Sequence, residues 1–189
     1  MTSVSLQVLT GRHRMGCKGP RAAQWLTEQG IALPPAPNSW VSLTSANANA
    51  EAAARHDNDA LAARLGSSEF FLEGGARSTT LRDLLPWTAA YPAGVYPVLR
   101  EDTAYLLSGA GVHDVLAQVC NVNFAALPLE SKPVVMTMMI GVAVLVIPQV
   151  ADAGRQYRIW CDPTFGAYVE GALGTIVDEC GGVYRGVSA

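Results

Sequence analysis

The sequence has little charge, no grouped metal ligands and no long unbroken apolar run. Only 15% of its 189 residues are charged, with 13 Lys and Arg against 16 Asp and Glu, for a net charge of −3. The pI is near 5.5. No basic stripe stands out, so attraction to a phosphate backbone is weak and nucleic acid is not an expected partner. Cys17, Cys120, Cys161 and Cys180 form no CxxC pair, and buried reduced thiols are the default. His13, His56 and His113 are equally scattered, so no local metal-ligand spacing exists and no metal site is expected. There is no phosphate loop, no GxGxxG and no Ser-His-Asp set. Met1 to Leu6 lack a cationic segment followed by an apolar run. The expectation is therefore a cytoplasmic chain without a signal peptide. The longest apolar stretch, Val134 to Ile147, lies between Pro133 and Pro148 and is split by Gly141. A membrane span needs about 20 apolar residues, so this stretch reads as two buried strands joined at Ile140-Gly141, and no membrane is expected.

Half of the residues are hydrophobic, enough to build a sizeable core in one domain or two closely packed half-domains. Ser5–Thr10 alternates like a strand. Gly19-Pro20 opens a helix with Ala22, Ala23, Trp25 and Leu26 on its apolar face, and Gly30 closes it. Residues 33–38, rich in proline, form a stiff connection to a strand at Trp40–Leu43. Residues 47–58 read as a loop or short helix. Residues 60–73 read as a hairpin around Gly66-Ser67-Ser68. Ser78 or Thr79 then caps a short helix through Leu81, Leu84 and Leu85 that Pro86 ends.

The second half starts near Tyr96, with strands at Val98–Glu101 and Thr103–Leu107. A helix over Gly109–Cys120 turns Val112, Val115, Leu116 and Val119 inward, and strands follow at about 134–140, 142–147 and 156–161. In the last helix, Asp162 is the N-cap and Pro163 the first helical residue. Phe165, Tyr168, Val169, Ala172, Leu173, Ile176 and Val177 form its buried stripe, and Gly181-Gly182 ends it.

The halves repeat one another. Gly19 to Leu26 aligns without a gap to Gly109 to Leu116, and each half reads strand, Gly-led helix, hairpin strands, closing helix. We expect half-domains at 1–92 and 93–189 sharing one core, because a half of that size buries too little apolar surface to stand comfortably alone.

Four ordered blocks carry a family resemblance. Met15-Gly16-Cys17-Lys18-Gly19-Pro20-Arg21-Ala22-Ala23-Gln24-Trp25-Leu26 with Pro35-Ala36-Pro37-Asn38 resembles the opening of the gamma subunits of heterotetrameric sarcosine oxidase. Arg64-Leu65-Gly66-Ser67-Ser68-Glu69-Phe70-Phe71-Leu72 is similar to their next block. Leu106-Leu107-Ser108-Gly109 with Asp114 to Cys120 is similar to a third, and Tyr157-Arg158-Ile159-Trp160 with Phe165 to Val169 and Leu173 to the last. The resemblance implies the α+β fold of the folate-binding aminomethyltransferase (glycine cleavage T-protein) superfamily, two intertwined half-domains with antiparallel sheets and packed helices. It also implies a non-catalytic structural subunit of a flavin- and folate-linked amine (sarcosine) oxidase, with no cofactor in this chain. The implied partner is a large flavoprotein subunit; a homo-oligomer is the other partner reading. The alternative function is a stand-alone tetrahydrofolate-binding aminomethyltransferase-like protein.

The residues offer little chemistry of their own. Gly94-Val95-Tyr96-Pro97, where relatives of the superfamily place an acidic pair, has no carboxylate, and Arg100-Glu101-Asp102 reads as a solvated turn. Cys17 lies beside Lys18 and ahead of a helix but lacks an inferable base. It reads as an inert thiol, as does Cys161. Arg158 faces opposite to Tyr157 and Ile159 and reads as a stem covering an exposed sheet face, or as a carboxylate binder. Trp25, Trp40, Trp87 and Trp160 read as core or interface anchors. Trp87 and Tyr91, flanked by Pro86 and Pro92, are the expected partner contact, since aromatics on a stiff loop make good hot spots. No catalytic, cofactor-binding or metal-binding residue is expected.

Overall fold

The computed structural model describes residues 3–43, 60–75, 81, 91–151 and 154–186. The expected helix after Ser78 and the segment 47–58 lie outside those residues, apart from Leu81. The backbone divides into two compact units, Gly11–Arg100 and Met1–Thr10 with Glu101–Ala189. Strands are numbered along the chain, and β1 (Val4–Leu9) belongs to the second of these units.

The first unit contains β2 (His13–Lys18), α1 (Ala22–Glu28), β3 (Ser39–Ser42), β4 (Leu61–Arg64), β5 (Glu69–Gly74) and β6 (Tyr96–Val98). Its sheet has the order β3-β4-β5-β2-β6, antiparallel throughout. α1 ends as its glycine suggests. Gly30 has φ +79°, and Ile31 N–H reaches back to Leu26 O at 3.0 Å, satisfying a terminal carbonyl. Ala22 and Leu26 pack with Phe70, Leu72 and Ala62 on one face of the sheet. The alternate residues Leu61, Ala63, Phe71 and Glu73 are buried too, so this sheet is covered on both faces. β2 was not legible as a strand. Its charged ends and Gly16 hide the pattern, yet it sits inside the sheet. A Cβ on Gly16 would stand 2.8 Å from Val98 Cβ, so glycine is what lets β6 lie against it.

The second unit contains β1, β7 (Thr103–Gly109), α2 (Val112–Val119), β8 (Val135–Met139), β9 (Val142–Ala151), β10 (Gly154–Cys161), α3 (Gly166–Glu179) and β11 (Val183–Arg185). The order is β11-β1-β7-β10-β9-β8, antiparallel except for β11 against β1. Val112, Val115, Leu116 and Val119 of α2 are buried as expected, with Val169, Leu173 and Val177 of α3, over Tyr157, Ile159 and Cys161 of β10. β8 and β9 join at Ile140-Gly141, both at positive φ (45° and 82°), the backbone of a two-residue hairpin turn. β9 runs past Pro148 instead of stopping before it. The ladder to β8 begins at Val135↔Val146, so beyond that pair β9 is an edge, where a missing N–H is tolerated. Phe165 and Tyr168 are 48% and 57% exposed, against the expected buried stripe. Asp162 caps a single 3-10 turn, Pro163–Phe165, and only then does α3 begin, which puts Phe165 out of phase with the helix.

The two sheets share a plan. β1 precedes β2 in the chain but pairs with β7, and β6 precedes β7 but pairs with β2. A division at 92/93 would leave β1 and β6 on the wrong sides of these ladders. Both helices leave their strands the same way. Gly19 (φ +124°) and Gly109 (φ +111°) each hold a backbone oxygen, of Gly94 and Ser3, 2.3 Å from where a Cβ would be. The same carbonyls accept Arg21 N–H at 3.1 Å and Gly111 N–H at 3.2 Å. Only glycine permits that combination of angle and approach.

Candidate functional site

Of the two expected partner contacts, Trp87 lies outside the described residues. Tyr91 is half-buried, edge-on to Trp25 of α1 with ring centroids 5.3 Å apart, and packs on the apolar cluster of the first unit. Burial pushes its hydroxyl pKa up, with a smaller contribution from Cys17. Cys17 itself is fully buried in β2, and burial pushes its pKa to about 11, so at neutral pH it is a thiol and a poor nucleophile. Burial raises the Cys161 pKa as well. Asp162 accepts hydrogen bonds from Thr164 N (2.9 Å) and Oγ1 (2.6 Å), which lower its pKa. It is a cap, as read.

Two arginines differ from expectation. Arg158 is only 2% exposed, so it does not cover a solvent-facing sheet surface. Its face also carries buried Ala104, Ile147 and Trp160. Arg100 is not a solvated turn residue. Its guanidinium lies 5.6 Å from the centre of the Phe71 ring and 3.7 Å from Glu69.

Sequence reasoning missed the buried ion cluster at Glu73. This carboxylate is fully buried at the end of β5, with Arg12 Nε at 2.8 Å on one oxygen and Arg14 Nε at 2.6 Å on the other. Arg14 and Glu73 are register partners across β2 and β5. Arg14 lies in β2 and Arg12 just before it, and residues two apart along extended chain share a face, a signal visible only once β2 is known to be a strand. With a guanidinium on each oxygen, Glu73 fastens two strands and is poorly placed to act as a base.

In the second unit, His113 of α2 points Nε2 at the Tyr157 hydroxyl, 2.7 Å away. Phe124 packs edge-on against Tyr157 at 5.4 Å. Next to them lies a cavity of about 320 Å³ lined by His113, Leu116, Cys120, Val122 and Phe124, among others. On β8 the outward side chains Met136 and Met138 are 54% and 56% exposed, beside a shallow groove of about 560 Å³. Among the described residues no group of His, Cys, Asp and Glu is placed to hold a metal, and no helix is long and apolar enough to cross a membrane.

No family model matches the chain, and no curated protein sequence matches it. Solved structures do. The chain is similar to heterotetrameric sarcosine oxidase from Corynebacterium sp. U-96, solved in complex with pyrrole 2-carboxylate. The TM-score is 0.67 at 19% identity, over 93% of this chain and 84% of that one. It is also similar to glycine cleavage system aminomethyltransferase T from Bartonella henselae, with TM-score 0.58 at 13% identity over 96% of this chain. Here it spans only 47% of the other chain, about half its length. At such identities the likeness shows the fold alone: an α+β chain with two sheets and few helices, built like the aminomethyltransferases.

Proposed function

We propose that this chain is a non-catalytic structural subunit, similar to the gamma subunit of sarcosine oxidase, in a cytoplasmic flavin- and folate-linked amine oxidase complex. The observation that carries this reading is the structural match to heterotetrameric sarcosine oxidase, which takes in most of both chains. The side chains support it. Cys17 is held as a thiol and Glu73 is committed to two arginines. The partner on this reading is a large flavoprotein, with Trp87 and Tyr91 among the contact residues. The half-domains are intertwined, and the cofactors belong to the partner. Affinity capture of the full chain from its native cells tests it. A retained large subunit with flavin absorbance is expected, and a chain recovered alone or as a homo-oligomer contradicts it.

The second reading, a stand-alone tetrahydrofolate-binding protein, is favoured by the match to aminomethyltransferase T. Calorimetric titration of the chain with tetrahydrofolate separates the two. Saturable heat supports the second reading, and its absence at high protein concentration supports the first.

A further inference from the structure

Among the described residues the two sheets end in the strands β3, β6, β8 and β11. Edge strands are usually kept from pairing with other chains by charge, by proline or by being very short. β6 is three residues long with Pro97 at its centre. β11 is three residues long and ends in Arg185. β3 has four residues, begins and ends on serine, and follows the proline-rich connection. β8 differs. Its five residues, Val-Met-Thr-Met-Met, include no charge, proline or glycine, and they pair with β9 in unbroken register from Val135↔Val146 to Met139↔Val142. Lys132 and Pro133 stand before the strand, not in it.

The outward face of this edge is apolar. Exposed Met136 and Met138 lie beside their register partners Leu145, half-buried, and Ala143, exposed. From Pro133 to Ala151 the chain has no Asp, Glu, Lys, Arg or His. A charged segment laid along this run would lose water and meet no opposite charge in it. An uncharged extended segment would pair its backbone with the edge and cover the methionines, whose flexible side chains adapt to their neighbours. A second copy of the chain fits poorly. An isolated bridge joins Met139 to Cys120, and Ile140 N–H donates to Val119 O at 2.9 Å, which closes that end of the edge. The stretch left open, 135–138, is about 14 Å of strand. Two copies paired over it alone fall well short of the 800 Å² or so per partner of a stable interface. A large subunit can pair there and find the rest of its contact elsewhere.

We propose that β8 is a docking edge: the large partner subunit lays an extended, uncharged, apolar segment along 135–138, adds a strand to the six-stranded sheet and covers Met136 and Met138. This inference rests on the subunit reading given above.

The test captures the full chain from its native cells and reads the flavin-bearing large subunit recovered per chain. Wild type is compared with a Met136→Lys, Met138→Lys double variant and with Val150→Lys, a change at a 72% exposed position outside the groove. The double variant should recover about tenfold less flavoprotein or lower still, the loss expected of contacts that anchor an interface, and Val150→Lys should match wild type. Equal recovery by the double variant overturns the docking edge and leaves the subunit reading standing. A wild-type chain that recovers no flavoprotein overturns both. A dimer of the chain alone that the two lysines abolish places a second copy on β8 and overturns the proposed occupant. Should the double variant not fold, hydrogen exchange of the wild-type complex against the free chain decides. Peptides over 134–139 should exchange about tenfold or more slowly in the complex, the mark of added strand hydrogen bonds, and those over 169–177 in α3 should not change. Unchanged exchange at 134–139 overturns the docking edge.

Discussion

Replacing Glu73 with alanine should be among the most damaging single changes in the first unit. The carboxylate is fully buried, and Arg12 and Arg14 are 11% and 8% exposed. Each Nε lies within 2.8 Å of its oxygen. Removing one member of a buried ion cluster leaves its partners' charge poorly compensated and costs about 3–5 kcal/mol. Glu73→Gln keeps the shape and an acceptor but gives up the charge, so its cost should be nearer the 1.5–3 kcal/mol or so of a hydrogen bond to a charged group. In urea, with a slope of about 2 kcal/mol/M, the alanine variant should unfold at a midpoint lower by about 2 M. Early loss of exchange protection should appear in β2 and β5, the strands the cluster joins. A Glu73→Ala variant within about 0.5 kcal/mol of wild type, the range of ordinary surface changes, would refute the reasoning.

Gly19→Ala and Gly109→Ala should each destabilise by at least about 1–3 kcal/mol from backbone strain, since a Cβ would meet a carbonyl oxygen at 2.3 Å. Gly171→Ala, in α3 with nothing within 4 Å of its added methyl, should instead stabilise by about 0.5–1 kcal/mol, and thermal melts separate the two outcomes. The pKa of His113 is lowered from 6.5 in the folded chain, so between that lower value and 6.5 the unfolded state binds more protons. Its contribution to stability is complete above pH 6.5 and lost as pH falls through the folded value, a slope in urea midpoints that His113→Gln should remove. Thiol labelling of the native chain should reach half-buried Cys180 first, and buried Cys17 and Cys161 only as fast as the protein opens.

Much of the second unit is readable in the residues, because its elements depend on local pattern. The four-residue spacing of Val169, Leu173 and Val177 marks α3, and Asp162-Pro163 marks its approach. The aligned stretches from Gly19 and Gly109 point to two helices that start alike, and the shared positive φ shows why glycine opens both. What stays hidden depends on distant partners. β2 is a strand because β5 and β6 flank it and Glu73 neutralises its Arg14. β11 is three residues long and exists through its parallel pairing with β1. Arg158 looks like a surface residue in its strand and is buried because the sheet is covered on both faces. The hydrogen bond between His113 and Tyr157 joins residues 44 apart in sequence, and no spacing rule anticipates it.

The most direct measurement is the size of the native species that contains this chain. Sedimentation of freshly lysed native cells, followed by antibody to the chain and by flavin absorbance, should place both signals in one boundary far heavier than 19.9 kDa. A chain that sediments near its own mass, apart from any flavin, would contradict the account.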